Sequence, residues 1–134
     1  ATIPGTDGKK MSKSYNNTLP LFGSDEEIEK AIMGIVTDSG SDVPTNVYAI
    51  HSLLRAKDEL DRLYAENRGQ YKKLKEILIE DMKNFIRPMR ERRQALEEDK
   101  QAVLEILKSG GKAARERAET KMEEVRKLVG LKLY

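Results

Sequence analysis

The stretch Asp7-Gly8-Lys9-Lys10-Met11-Ser12-Lys13-Ser14 is where this sequence gathers groups able to do chemistry. Lys10 and Lys13 stand three residues apart, Ser12 and Ser14 supply hydroxyls, and glycines occupy positions 5 and 8. A short loop of that composition presents ammonium groups and backbone N–H donors together, which is what a polyphosphate needs. Gly5 and Gly8 let such a loop bend as it closes. It is not a P-loop, because the Gly-x4-Gly-Lys-Ser/Thr spacing is missing. Composition alone also accommodates a solvated basic loop of no special function.

Little else in the chain offers chemistry. Cysteine is absent, which excludes disulfides, thiolate nucleophiles and zinc–cysteine sites. The single histidine, His51, leaves a two-histidine zinc helix or a serine–histidine–aspartate triad hard to build. No metal site is expected. Any reaction must therefore run on lysines, carboxylates, hydroxyls and backbone groups.

The elements that must position the loop read as helices. A length of 134 residues suits one domain, and 38% hydrophobic, 36% charged and 5% aromatic content suits a helical core. No apolar run is long enough to span a membrane, and no apolar signal region opens the chain, so neither a membrane span nor a secretory signal is expected. Residues 1–23 read as an extended loop and residues 24–134 as an all-α bundle of about five or six helices. Ser24 is a good N-cap with Glu27 at capping-box spacing. Ile28, Ile32, Ile35 and Val36 form the first stripe, and Val47, Ile50, His51 and Leu54 the second. Leu60, Leu63 and Tyr64 make a third that ends near Asn67–Gly69. Tyr71, Leu74, Leu78, Met82 and Phe85 line a longer helix in which Pro88 predicts a kink or break. Val103, Leu104 and Leu107 suit a short helix, Gly110–Gly111 a turn, and Ala114, Ala118, Met122, Val125 and Val129 a last stripe capped by Gly130. His51, Met82 and Met122 read as packed core residues. Asp38 reads as a helix cap, with bracing of the loop as the alternative.

The net charge is +2, from 25 basic and 23 acidic residues. It is uneven: residues 70–93 hold 8 basic and 4 acidic groups, an excess of +4. Lys72, Lys73, Lys75, Lys83, Arg87, Arg90, Arg92 and Arg93 are the candidates there for contacts to RNA phosphate, Lys72, Lys73, Lys83, Arg87 and Arg90 foremost. An ordinary solvated helix face with Glu76, Glu80 and Glu91 as partners accounts for the same residues equally well.

Lys10-Met11-Ser12-Lys13-Ser14 is the KMSKS signature of class I aminoacyl-tRNA synthetases. Its flanks, Pro4-Gly5-Thr6-Asp7-Gly8-Lys9 and Tyr15-Asn16-Asn17-Thr18-Leu19-Pro20-Leu21-Phe22, resemble the tryptophan-specific members. So do Ile35-Val36-Thr37-Asp38-Ser39 and Glu124-Val125-Arg126-Lys127-Leu128-Val129-Gly130-Leu131. The tyrosine-specific relatives usually follow the signature with Leu-Gly-Asn rather than Tyr-Asn-Asn. The resemblance spans the chain, is strongest over residues 4–39 and is thinner from 40 to 110.

The resemblance implies that ATP, with Mg²⁺, activates tryptophan to an adenylate that is passed to tRNA. Lys10 and Lys13 would then stabilise the departing pyrophosphate. Ser12 and Ser14 would add hydrogen bonds, and the backbone near Met11 would lie against adenine. Met11 also reads as an apolar anchor beneath the loop, and Tyr15 as packing the loop onto the helices. The family's His-x-Gly-His-type nucleotide string is absent, and His51 cannot supply it. The resemblance thus implies a C-terminal part of the enzyme: the end of the catalytic domain over residues 1–23, then the helical anticodon-binding domain. Such a part is expected to be inactive alone and to belong to a cytoplasmic homodimer whose tryptophan pocket lies mostly elsewhere. The competing reading is a non-catalytic RNA-binding helical module.

Overall fold

The first helix begins where its capping residues place it. In the computed structural model, which describes residues 2–37 and 40–131, helix α1 spans Asp25–Met33. The Ser24 hydroxyl accepts from the Glu27 N–H at 3.2 Å, and the Glu27 carboxylate accepts from the Ser24 N–H at 2.7 Å. Two N–H groups that a helix start leaves unpaired are thereby satisfied. Ile28, Ile32 and, just past the helix, Ile35 are buried as the stripe predicts. Val36 is not, because the helix ends at Met33 and the 3.6-residue period ends with it.

Helices α2 (Thr45–His51), α3 (Lys57–Glu66), α4 (Tyr71–Glu98) and α5 (Lys100–Leu128) follow. A 3-10 turn covers Lys13–Tyr15. Among the described residues the only extended pairing is an isolated antiparallel bridge between Pro4 and Lys10. The fold is all-α, with five α-helices among the described residues.

The chain divides into two compact units, Ala1–Arg90 and Glu91–Tyr134. The first has a main core of Ile28, Ile32, Ile35, Val47, Ile50, Leu78, Ile79, Met82 and Ile86. A smaller cluster of Leu60, Tyr64 and Leu74 seats α3 on α4. Each such side chain taken from water stabilises the fold by about 1.5–3 kcal/mol. On α4 the buried stripe steps from Met82 to Ile86, not to Phe85, which is 54% exposed. The helix also continues through Pro88 rather than breaking before it. Proline removes the donor for the Asn84 carbonyl, but Asn84 is exposed, so the lost bond does not strand a buried residue.

His51 is packed, as expected, and fully buried. Its Nε2–H donates to Asp81 at 2.7 Å, and its Nδ1 accepts from the Tyr64 hydroxyl at 3.2 Å. The tautomer follows from Asp81: an ionised carboxylate only accepts, so Nε2 carries the proton and the Nδ1 of the neutral ring accepts from the phenol. Arg55 also grips Asp81, with Nη2 at 2.8 Å from Oδ1 and Nε against Oδ2. Burial pushes the His51 imidazole below its ordinary 6.5, overriding the upward pull of Asp81. A lowered histidine pKa means the unfolded chain binds more protons than the folded one. This contribution to stability is complete above the unfolded value and is lost as pH falls through the folded one. The urea midpoint is expected to decline between about pH 7.5 and 5.5, and His51→Gln to flatten that decline. A midpoint independent of pH over that window contradicts a buried neutral imidazole.

In the second unit, Asp99 accepts from the Ala102 N–H at 2.9 Å and starts α5. The predicted turn at Gly110–Gly111 is absent: α5 runs straight through both glycines. The alanine, glutamate, lysine and arginine residues around them are strong helix formers, enough to carry two glycines. No residue of α5 is buried, and Met122, expected in a core, is 46% exposed. The predicted stop is correct. Gly130 has φ 73°, its N–H donates to the Lys127 carbonyl at 3.3 Å, and the Leu131 N–H donates to the Arg126 carbonyl at 2.9 Å. A Cβ at Gly110 or Gly111 meets nothing within 4 Å. Replacing either by alanine is therefore expected to stabilise α5 by roughly 0.5–1 kcal/mol, raising the melting temperature followed by circular dichroism. A lowered melting temperature would restore the turn.

Candidate functional site

The loop that carries the lysines is a small hairpin. The Met11 N–H donates to the Ile3 carbonyl at 2.9 Å, and the Gly5 N–H to the Lys9 carbonyl at 2.7 Å. Between them the chain reverses, with the Gly8 N–H on the Gly5 carbonyl at 3.0 Å and Gly8 at φ 78°, a conformation that favours glycine. The Asp7 carboxylate accepts from the Asn17 amide at 2.7 Å and the Lys9 N–H at 3.1 Å. The Asn17 hydrogen bond, aided by that of Lys9, holds the Asp7 carboxyl below the usual carboxylate range.

Asn17 is the organising residue. It is 2% exposed. Its Oδ1 accepts from the Ser12 N–H at 2.8 Å, and its Nδ2 donates to the Lys10 carbonyl at 3.2 Å as well as to Asp7. Its own carbonyl accepts from the Thr6 N–H at 2.9 Å. One buried side chain thus fixes Lys10 and Ser12, the residues on either side of Met11. Asn16 reverses the chain at φ 52° and turns Asn17 inward. That reversal leaves Tyr15 outside at 64% exposure, so Tyr15 does not pack the loop onto the helices.

The ammonium groups of Lys10 and Lys13 are exposed, and neither makes an ion pair or hydrogen bond among the described residues. The Ser12 and Ser14 hydroxyls lie 2.8 Å apart and bond each other. Met11 is half-buried, and the N–H groups of Lys13 and Ser14 meet no acceptor among the described residues. The loop therefore holds out two cations, two hydroxyls and two free amides on a braced backbone.

The basic stretch is less uniform than its sequence. Lys83 pairs with Glu29 and lies 3.9 Å from Asp25, while Arg90 donates to Asp25 at 2.6 Å. Those two cations pin α4 to α1. Lys72 is 3.7 Å from Glu76. Lys73 and Arg87 are exposed, with no ion pair within 4 Å among the described residues. Lys75 is buried and donates to two carbonyls. Among the described residues no three histidine, aspartate or glutamate side chains gather as a metal site.

A family model described as "tRNA synthetases class I (W and Y)" matches residues 1–119. The chain belongs to this family. A tryptophan–tRNA ligase of Rhodopirellula baltica is 40% identical over 141 residues, covering 98% of this chain and 44% of the relative. One from Aquifex aeolicus is 36% identical, covering 96% and 36%. The solved tryptophanyl-tRNA synthetase of Campylobacter jejuni, complexed with ADP and tryptophan, superposes with a TM-score of 0.84 at 33% identity, over 98% of this chain and 44% of that one. The chain thus spans less than half the length of these relatives.

Of the residues that carry the resemblance, those from Pro4 to Asn17 form the hairpin. Pro4–Lys9 form the first arm and turn of the hairpin, Lys10–Ser14 its exposed edge, and Asn17 its anchor. Sequence reasoning quoted Asn17 only as a flank. Its signal was present, since a loop this rich in backbone polar groups needs a buried amide to satisfy them. Val36 also belongs to the site: its N–H donates to the Thr6 carbonyl at 2.8 Å, and its carbonyl accepts from Asn46 at 2.9 Å. The reading of Asp38 as a cap or brace falls outside the described residues. No helix among the described residues is long and apolar enough to cross a membrane.

Proposed function

We propose that this chain is the signature-loop and helical C-terminal part of a tryptophan–tRNA ligase. The observation that carries this reading is the pair of exposed lysines, Lys10 and Lys13, whose ammonium groups meet no partner among the described residues, on a hairpin tied down by Asn17. In the parent enzyme the tryptophan carboxylate attacks the α-phosphorus of ATP. The bond to the bridging oxygen breaks, and pyrophosphate leaves with its electron pair. The adenylate ester then yields the amino acid to the 3′ end of tRNA.

The first step moves no proton at the nucleophile, since a carboxylate is already ionised. What it requires is cationic stabilisation of the leaving group. Lys10 and Lys13 supply it, with Mg²⁺ arriving on the nucleotide as part of the substrate. Ser12, Ser14 and the free amides add hydrogen bonds, and the backbone at Met11 faces adenine. Residues 1–23 close the catalytic domain, and residues 24–134 form the domain that meets tRNA. In that role Lys73 and Arg87 are better placed for phosphate than Lys83 and Arg90, whose charges α1 already neutralises; Lys72 stands between. The parent works in the cytoplasm as a homodimer.

The test is charging of bulk tRNA by the full-length parent with labelled tryptophan or tyrosine. Tryptophan alone is expected to be esterified to tRNA. Tight tRNA binding without charging of either amino acid would leave an RNA-binding module as the account.

A further inference from the structure

We infer that Lys75 is a positioning residue for the signature loop, clamping the backbone after α1 and so setting where Lys10 and Lys13 stand. This rests on the reading of that loop as the ATP site. Lysine is seldom buried, because its ammonium gives up water. Lys75 is only 9% exposed, and no carboxylate pairs with it among the described residues. Instead Nζ donates to the carbonyls of Met33 at 2.9 Å and Ile35 at 2.7 Å. These carbonyls lie where α1 ends and backbone acceptors lack helical donors, and a cation there also suits the negative end of the helix. An apolar side chain would fill the same space but could not hold the backbone.

That backbone leads directly to the loop. Val36, the next residue, donates to the Thr6 carbonyl and accepts from Asn46. Thr6 donates to the Asn17 carbonyl, and the Asn17 side chain holds Ser12 and Lys10. Apart from the peptide link from Ile35 to Val36, each step is a hydrogen bond of 2.7–3.2 Å. Asn46 also touches the hairpin, since a Cβ on Gly8 would lie 2.8 Å from its Nδ2. Helices α2 and α4 thus grip both sides of the one segment on which the hairpin rests.

The experiment uses the full-length parent carrying Lys75→Met or Lys75→Arg. It reads tryptophan-dependent ATP–pyrophosphate exchange, thermal stability and hydrogen exchange at the Ser12 amide. Lys75→Met is expected to lower kcat/KM for ATP about tenfold or more, because a small misplacement of reacting groups is costly, while KM for tryptophan stays within about twofold. Ser12 exchange should quicken, and Lys75→Arg should recover most of both effects. Leu60→Ala, in the separate small core, controls for destabilisation alone and should show no ATP-specific loss. If Lys75→Met does not fold, Asn46→Ala frees the same Val36 segment from its other hold, at a partly exposed residue, and is read the same way. Unchanged ATP kinetics and Ser12 exchange would overturn the inference, as would a loss that Leu60→Ala reproduces. A parent that exchanges with no amino acid sinks the ATP-site reading instead, and Ser12 exchange still tests the clamp.

Discussion

Lys13→Ala in the full-length parent is expected to cut tryptophan-dependent ATP–pyrophosphate exchange by about 10²–10³-fold, the usual loss when one pre-placed charge-stabilising group is removed. The fall should appear in kcat as well as kcat/KM, because charge builds on the leaving pyrophosphate in the transition state. KM for tryptophan should hardly move. Stability should not move either: the Lys13 side chain is exposed and has no partner among the described residues to lose. Lys13→Arg keeps the charge but spreads it over a larger, planar group, so it should recover only part of the rate. Full exchange by Lys13→Ala would remove the loop from the chemistry. Lys83→Ala is the contrasting variant. Its ammonium is engaged by Glu29 and Asp25, so its loss should weaken the α1–α4 contact and leave the exchange reaction intact.

Gly5→Ala carries the second large effect, through space rather than charge. A Cβ at position 5 would lie 2.3 Å from Asn17 Nδ2, 2.4 Å from its Cγ and 2.7 Å from its carbonyl oxygen. The side chain cannot simply swing away, because it is buried and holds Asp7, Lys10 and Ser12. The hairpin must open, and Lys10 and Lys13 move with it. Exchange activity is expected to fall about 100-fold, a loss typical of misplaced catalytic groups. The helical circular dichroism signal should be almost unchanged, since neither core cluster includes the hairpin. An enzyme with native activity would show that the loop tolerates a displaced Asn17.

These two residues mark what a sequence can and cannot disclose. Lys10-Met11-Ser12-Lys13-Ser14 stood out because the string matches a family signature; its residue types and spacing alone fit a solvated basic loop as well. The α1 start was legible too, because Ser24 and Glu27 cap within one turn. Gly5 was read as a bending point, yet its φ is not positive. Its need for glycine comes from the close approach of Asn17, a tertiary fact. Lys75 looked like one more cation in a basic run, and its acceptors lie 40 and 42 residues away. Local breakers misled for the opposite reason. Pro88 and Gly110–Gly111 signal stops, yet both helices continue. The buried face of α4 outweighs a proline cost of about 3 kcal/mol, and strong helix formers carry two glycines at about 1 kcal/mol each.

The central claim is that this hairpin serves ATP in a tryptophan-activating enzyme. It is tested most directly by ATP–pyrophosphate exchange with the full-length parent, run separately with tryptophan and tyrosine, and with this 134-residue chain alone as control. Exchange driven by tryptophan only, with none from the 134-residue chain, is the predicted result. No exchange with either amino acid from a folded parent, or exchange driven by tyrosine, would contradict it.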